Sequence, residues 1–278
     1  MPAAKLRLPT LTFLLALGAA AAHAQAPEQP PRLAAGPSAD DFAKFYPTLA
    51  HLYLIEGYAA LTCMVDPSGR AHDCHATSEG PPGLGFGRAA EKLSGAFRFT
   101  PGTTDGKPAD KPWTSKVAFR LGEEPPVDPV APDLPPERLK LAADVLAALD
   151  VAPEFKVQAT AADGRKDCQS NGGTMCDQFA KAVEAAAIED NARVRAELIA
   201  WIATTYGEDE LRAYLDPAAA ATHDMIEKAG DFAVTVERTT ARAVRDSRWL
   251  VGKHYCELVG GCPTAAATIA PSPSKPSR

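Results

Sequence analysis

The chain has 278 residues and a formal net charge of −6, with its basic residues scattered. That balance argues against nucleic acid or an anionic membrane surface as a partner, since both need clustered Lys and Arg. The length allows one large domain or two small ones, and three proline-rich stretches favour two.

Lys5 and Arg7 precede an apolar run from Leu11 to Ala22, and Ala22-His23-Ala24 sets small residues at the cleavage positions. The pattern predicts a signal peptide over residues 1–24, cut before Gln25. The run is shorter than the roughly 20 residues that span a bilayer, and no later segment is long or apolar enough, so no stable membrane insertion is expected. The expected location is the periplasm. Lys5 and Arg7 leave with the signal and no acid does, so the mature chain is more acidic than the whole.

Residues 25–39 read as a proline-rich linker. Asp40 to Leu54 then places Phe42, Phe45, Leu49, Leu52 and Tyr53 at roughly helical spacing, and Pro47 marks where the helix starts. Two short apolar runs, Gly57–Val65 and Arg70–Ser78, flank Asp66-Pro67-Ser68-Gly69. Pro67 presets φ and Gly69 accepts the left-handed conformation, so a β-hairpin is predicted. Arg88 to Phe97 reads as a short helix, Thr104 to Pro108 as a turn, and Trp113 to Leu121 as a strand. In that strand Val117, Phe119 and Leu121 face the core while Lys116, Ala118 and Arg120 face away.

Cys63 and Cys74 stand on the two hairpin arms. In an exported protein a cross-strand disulfide is expected, in preference to a redox or metal-binding pair. Pairing around a short loop would set Cys63 opposite Asp73, so a bulge near His72 and Asp73 is required. A metal site from His72, Cys74 and His75 lacks a completing tetrahedral ligand; the histidines are read as exposed strand residues.

The order of pieces in this unit resembles the TonB C-terminal domain family. The pieces are Tyr46-Pro47, Glu56-Gly57, Val65 to Arg70, Phe86 to Ala90, Phe97 to Pro101, Asp105 to Pro108 and the alternating strand Trp113 to Leu121. The resemblance covers residues 40–121 and implies a binding module without chemistry. In that family an extended segment of an outer-membrane transporter is captured by strand addition at a sheet edge. The implied contact residues are Trp113, Thr114, Lys116, Ala118 and Arg120. A cleavable signal and the absence of a long spacer set this chain apart from the energy-transducing members.

Residues 122–136 form a second proline-rich linker, 137–262 a helical unit, and 263–278 an Ala/Pro/Ser/Thr tail expected to be disordered. Pro135-Pro136-Glu137 starts a helix with Leu139, Leu141, Ala142, Val145, Leu146 and Leu149 inward. Cys168 to Cys176 encloses a loop. Asp177 to Tyr206 is helical, with a break expected near Asp190 and Asn191, and Val194, Leu198, Trp201 and Ile202 form its apolar stripe. Tyr206 to Leu211 stops one helix and starts another. Pro217 to Leu258 is a long helical stretch with a stripe of Met225, Phe232, Val236, Val244 and Leu250, and Gly230 is a candidate bend. The Tyr-x-x-x-Glu-Leu turn at Tyr206 is similar to a family of uncharacterised helical domains of exported bacterial proteins, which brings no activity. Cys168, Cys176, Cys256 and Cys262 allow three connectivities; Gly260-Gly261 favours local pairing, Cys168 with Cys176 and Cys256 with Cys262.

Motifs for chemistry are weak. Gly83, Gly85 and Gly87 match a dinucleotide fingerprint only in spacing. His223-Asp224 and His254 have no nucleophile in a recognisable context, and Glu208, Asp209 and Glu210 suit a helix N-terminus. The expectation is an α+β protein: a small TonB C-terminal-like sheet-and-helix domain followed by an all-α domain, non-enzymatic, with no cofactor. Its partner would be an extended segment of an envelope or outer-membrane protein. The alternatives are an assembly accessory whose sheet edge pairs within the protein or in a homodimer, and, with least support, a hydrolase.

Overall fold

A computed structural model describes residues 28–122, 126, 133–149, 159–218 and 223–263. The signal segment 1–24, most of the second linker and the tail from Thr264 lie outside the described residues. The fold is α+β. Among the described residues no helix is long and apolar enough to cross a membrane.

The first strand, β1 (Arg32–Ala35), falls where the sequence suggested only linker. All four residues are exposed, so no apolar alternation marks it. Two short helices follow, α1 (Ala39–Phe45) and α2 (Thr48–Leu52), where one helix from Pro47 was expected. The extra helix has its own start signal. The Ser38 hydroxyl accepts from the Asp41 N–H, and the Asp41 carboxylate accepts from the Ser38 N–H.

The hairpin is β2 (Gly57–Val65) and β3 (Ala71–Gly80). Its turn is held by Asp66, whose carboxylate accepts from the Ser68 and Arg70 N–H groups at 2.8 and 2.9 Å. Gly69 has φ +79°, and a Cβ there would meet the Phe99 carbonyl oxygen. The register slips between Thr62 and Met64, Asp73 has φ +49°, and the resulting bulge brings Cys63 and Cys74 together as a disulfide. Removing this bridge as Cys63→Ala/Cys74→Ala is expected to lower stability by at most about 2–3 kcal/mol, because the closed loop is short. A shift of the urea midpoint checks it.

Next come α3 (Phe86–Leu93), β4 (Arg98–Thr100), β5 (Thr103–Thr104), β6 (Lys107–Pro108) and β7 (Lys111–Phe119). The main sheet is antiparallel with order β3-β2-β7, and β1 pairs with β4. Along β2 every second residue is buried, with Ala59, Leu61, Cys63 and Val65 facing the core that also holds Phe86, Ala90 and Leu93 of α3. The last strand begins and ends two residues earlier than its pattern suggested. Its C-terminal limit has a cause: the Glu56 carboxylate accepts from the Leu121 N–H at 2.8 Å, diverting that amide from the ladder.

The remaining helices are α4 (Pro136–Ala148), α5 (Ala161–Ser170), α6 (Cys176–Thr205), α7 (Glu208–Leu215) and α8 (His223–Val259). Local pairing, Cys168 with Cys176 and Cys256 with Cys262, is what the structure shows. The break expected at Asp190 is absent: α6 runs straight through, and no Gly or Pro interrupts it there. Likewise α8 continues through Gly230, although the side chain of Met225 lies outside the described residues.

Among the described residues two apolar cores result, and neither follows the linker. The first joins the sheet and α3 to Cys168 of α5, Phe179, Val183 and Ala186 of α6, and Leu250, Val251 and Tyr255 of α8. The second holds Val145 and Leu146 of α4, Leu198 and Ile202 of α6, Leu211 of α7, and Val236 and Ala243 of α8. Half of each long helix therefore belongs to each core.

A polar layer separates them, with Asp190 and Arg193 on α6 and Asp246 and Ser247 on α8. Asp190 is fully buried. Burial pushes its carboxyl up to about 6, Asp246 and Glu189 add to the rise, and Ser247 and Arg193 oppose it. A carboxyl raised above its ordinary value of 3.8 favours the neutral acid in the folded state. Its contribution to stability is therefore greatest below about pH 4, declines between about pH 4 and 6, and is flat above. The full span is at most about 3 kcal/mol. Asp190→Asn is expected to raise the urea midpoint at pH 8 and to leave it unchanged at pH 3.5.

Candidate peptide-binding edge

The sheet has two outer edges, and the sequence builds them differently. Along β3 the register with β2 slips twice, and the Ala76 N–H is turned outward to the Glu91 carboxylate at 2.8 Å. Bulges and side-chain caps of this kind blunt an edge. Along β7 the register with β2 runs from Gly57↔Phe119 to Val65↔Lys111 without a slip. Among the described residues no strand lies outside it.

Which backbone groups of β7 point outward follows from the neighbouring strand. Ala76 stands opposite Leu61 but bonds away from it, so Leu61 does not exchange hydrogen bonds with β3. Its N–H and C=O are therefore directed at Ser115 in β7. By alternation Trp113, Ser115, Val117 and Phe119 bond inward, and Thr114, Lys116 and Ala118 present N–H and C=O groups outward. Pro112 falls in the outward row, where its missing N–H leaves no gap in the ladder.

The side chains of the expected contact residues divide. Trp113 is half-buried and packs its ring on Phe99 and Phe97, with centroids 4.9 and 5.6 Å away. It belongs to the core face with Val117 and Phe119, which are buried. On the opposite face the Thr114 and Thr62 hydroxyls are 3.1 Å apart, and the Lys116 ammonium sits 3.4 Å from the Tyr58 ring centroid. Ala118 is half-buried beside Tyr58. Arg120 is past the strand's end and donates to Glu56 at 2.7 Å. The structure thus keeps Thr114, Lys116 and Ala118 together on the outer row, while Trp113 and Arg120 flank it.

Glu56 is the residue that sequence reasoning missed here. Beyond Arg120 it also accepts from the Gly122 N–H, and these bonds hold its carboxyl below the usual range despite partial burial. Its place beside Gly57 was visible, but nothing local in the sequence shows that it closes the exit of a strand by pairing with Arg120, 64 residues further on. A cleft of about 400 Å³ lies at this end, lined by Ile55, Leu121, Trp249 and Lys253 among others.

The other sites considered in the sequence are occupied by the protein's own groups. The glycine-rich loop and the first turn of α3 direct the Gly83 and Gly87 N–H groups at the Glu79 carboxylate, at 2.8 and 2.7 Å. The nest that would cradle a phosphate holds a side chain of the same chain. Its rim is fixed by the helical unit, since the Tyr255 hydroxyl donates to the Pro82 carbonyl and the Thr174 N–H to Gly83. The His72 ring lies between Asp73 and Asp110, whose hydrogen bonds raise its pKa, and the Cys74 sulfur is bonded to Cys63. The His254 ring contacts Glu189 and Glu257, and the side chains of His223 and Asp224 lie outside the described residues.

No family model matches the chain, and no curated protein matches it.

Proposed function

We propose that this is a non-enzymatic binding protein of the bacterial cell envelope, of the TonB type. The outer edge of β7 takes up an extended segment of an envelope or outer-membrane protein, and the activity is linked to outer-membrane transport. The observation that carries this reading is the unslipped edge with Thr114, Lys116 and Ala118 directed outward, in a domain whose other edge is bulged and capped. Three disulfides fit an oxidising compartment, which for an exported bacterial protein is the periplasm. The cleft beyond Leu121 would receive side chains of a segment that runs past Ala118. Lys116 at the middle of the edge would meet its own like charge in a symmetric pairing with a second copy, which disfavours that pairing relative to one with an uncharged or acidic segment.

The test is photo-cross-linking from Thr114 and Lys116 in an envelope extract of the source bacterium, with Lys92 on α3 as the comparison position. The expected result is one envelope protein joined from both edge positions and not from Lys92. Cross-links to a second copy of the chain would favour the assembly reading, and cross-links from Lys92 alone would place the contact on another surface.

A further inference from the structure

The second core contains a cavity of about 130 Å³ between α4, α6, α7 and α8. Val145, Ile202 and Leu211, all buried, form its floor. The rings of Tyr206, Tyr214 and Phe232 also line it, and Tyr214 is 41% exposed, which puts the mouth on its side.

The lining chooses the chemistry of what would enter. Protein interiors pack with few voids larger than a water molecule, and a water needs two or more polar partners to settle. Here the floor offers none. Glu210 is the one charged residue of the described lining, and both its oxygens are engaged. One accepts from Lys228 at 2.9 Å, and the other accepts from the Gly207 N–H at 2.7 Å, capping α7. An ion in the cavity would find no uncommitted counter-charge among the described lining residues. Apolar cavities of about this size take up single-ring hydrocarbons, and three aromatic side chains at the wall favour edge and face contacts with a ring.

We propose that this cavity is a binding site for a small neutral aromatic molecule, about the size of one substituted benzene ring. The ring sits on Val145, Ile202 and Leu211, and a polar substituent points past Tyr214 to solvent. The site is separate from the β7 edge and stands or falls independently of it.

The experiment titrates the full disulfide-bonded chain with benzyl alcohol, followed by calorimetry and by methyl NMR shifts. Benzoate and benzylamine are the charged comparisons. The expected result is saturable binding of benzyl alcohol at least tenfold tighter than either ion, with shifts concentrated on Val145, Ile202 and Leu211. Val145→Met places a flexible chain into the gap and should remove the binding while circular dichroism is unchanged. Failure to saturate, shifts centred elsewhere, equal binding of the ions, or undiminished binding by folded Val145→Met protein would each overturn the proposal. If Val145→Met does not fold, the location of the methyl shifts in the unaltered protein decides.

Discussion

Phe179→Ala is expected to lower stability by about 3–5 kcal/mol, the range for removing a fully buried aromatic ring. Phe179 has no exposed surface, and its ring meets Tyr53 of the sheet unit at 4.9 Å and Tyr255 of α8 at 5.5 Å. The loss falls where the two halves of the chain meet, so it should be felt by both. Tyr53 is further tied to the helical unit by donating its hydroxyl to Asp167 at 2.6 Å, and Arg248 donates to the Leu52 carbonyl. Urea unfolding of the oxidised protein, read by Trp fluorescence and far-ultraviolet circular dichroism, checks this. The variant should shift both signals together. A shift of the helical signal alone would show that the sheet unit folds without its helical neighbour.

Ala118→Pro should weaken capture of the partner segment at least tenfold while leaving the fold intact. The substitution removes one outward N–H, worth about 1 kcal/mol of hydrogen bonding. It also puts a ring where the incoming strand must approach, which accounts for the remainder. The sheet survives because Val117 and Phe119 make the inward bonds to β2, and Pro112 is already tolerated at the same parity. Val117→Pro, one residue away, has the opposite profile. It strips an inward ladder bond and disturbs a buried position, so it should unfold the sheet before binding can be assayed. The pair separates a binding edge from a merely structural strand, because a structural strand would be insensitive at Ala118 in any capture assay.

Much of the sheet unit was legible because its signals are local. Asp66-Pro67-Ser68-Gly69 and Asp105-Gly106 demand turns, and both the latter residues have positive φ. Two cysteines that must reach one face force the bulge at Asp73. The α5 helix was overlooked although Thr160 and Asp163 form a capping box that the sequence displays. Strand β1 had no such sign, since all its residues are exposed. What periodicity could not supply is the partner of each buried face. The stripe on α6 says that Leu198 and Ile202 are covered, but not that they pack on α4 and α7, nor that the other half of the helix, at Phe179, packs on the sheet. For the same reason the linker looked like a boundary between cores, and Asp190 looked like a break instead of a buried layer. At the site, the alternation of Trp113 to Leu121 marked Val117 and Phe119 correctly as core-facing, but Leu121, expected beside them, lies past the strand's end and lines the cleft. Which backbone groups are left open depends on Ala76 and Glu91, residues far along the chain whose pairing no local pattern encodes.

Residue-resolved amide exchange across β7 tests the central claim most directly. In the free protein the N–H groups of Trp113, Ser115, Val117 and Phe119 should be protected, and those of Thr114, Lys116 and Ala118 should exchange quickly. Adding a synthetic peptide of the segment recovered by cross-linking should protect the second set and leave the first unchanged. Protection of Thr114, Lys116 and Ala118 before any peptide is added, or their continued fast exchange in its saturated complex, would contradict strand addition at this edge.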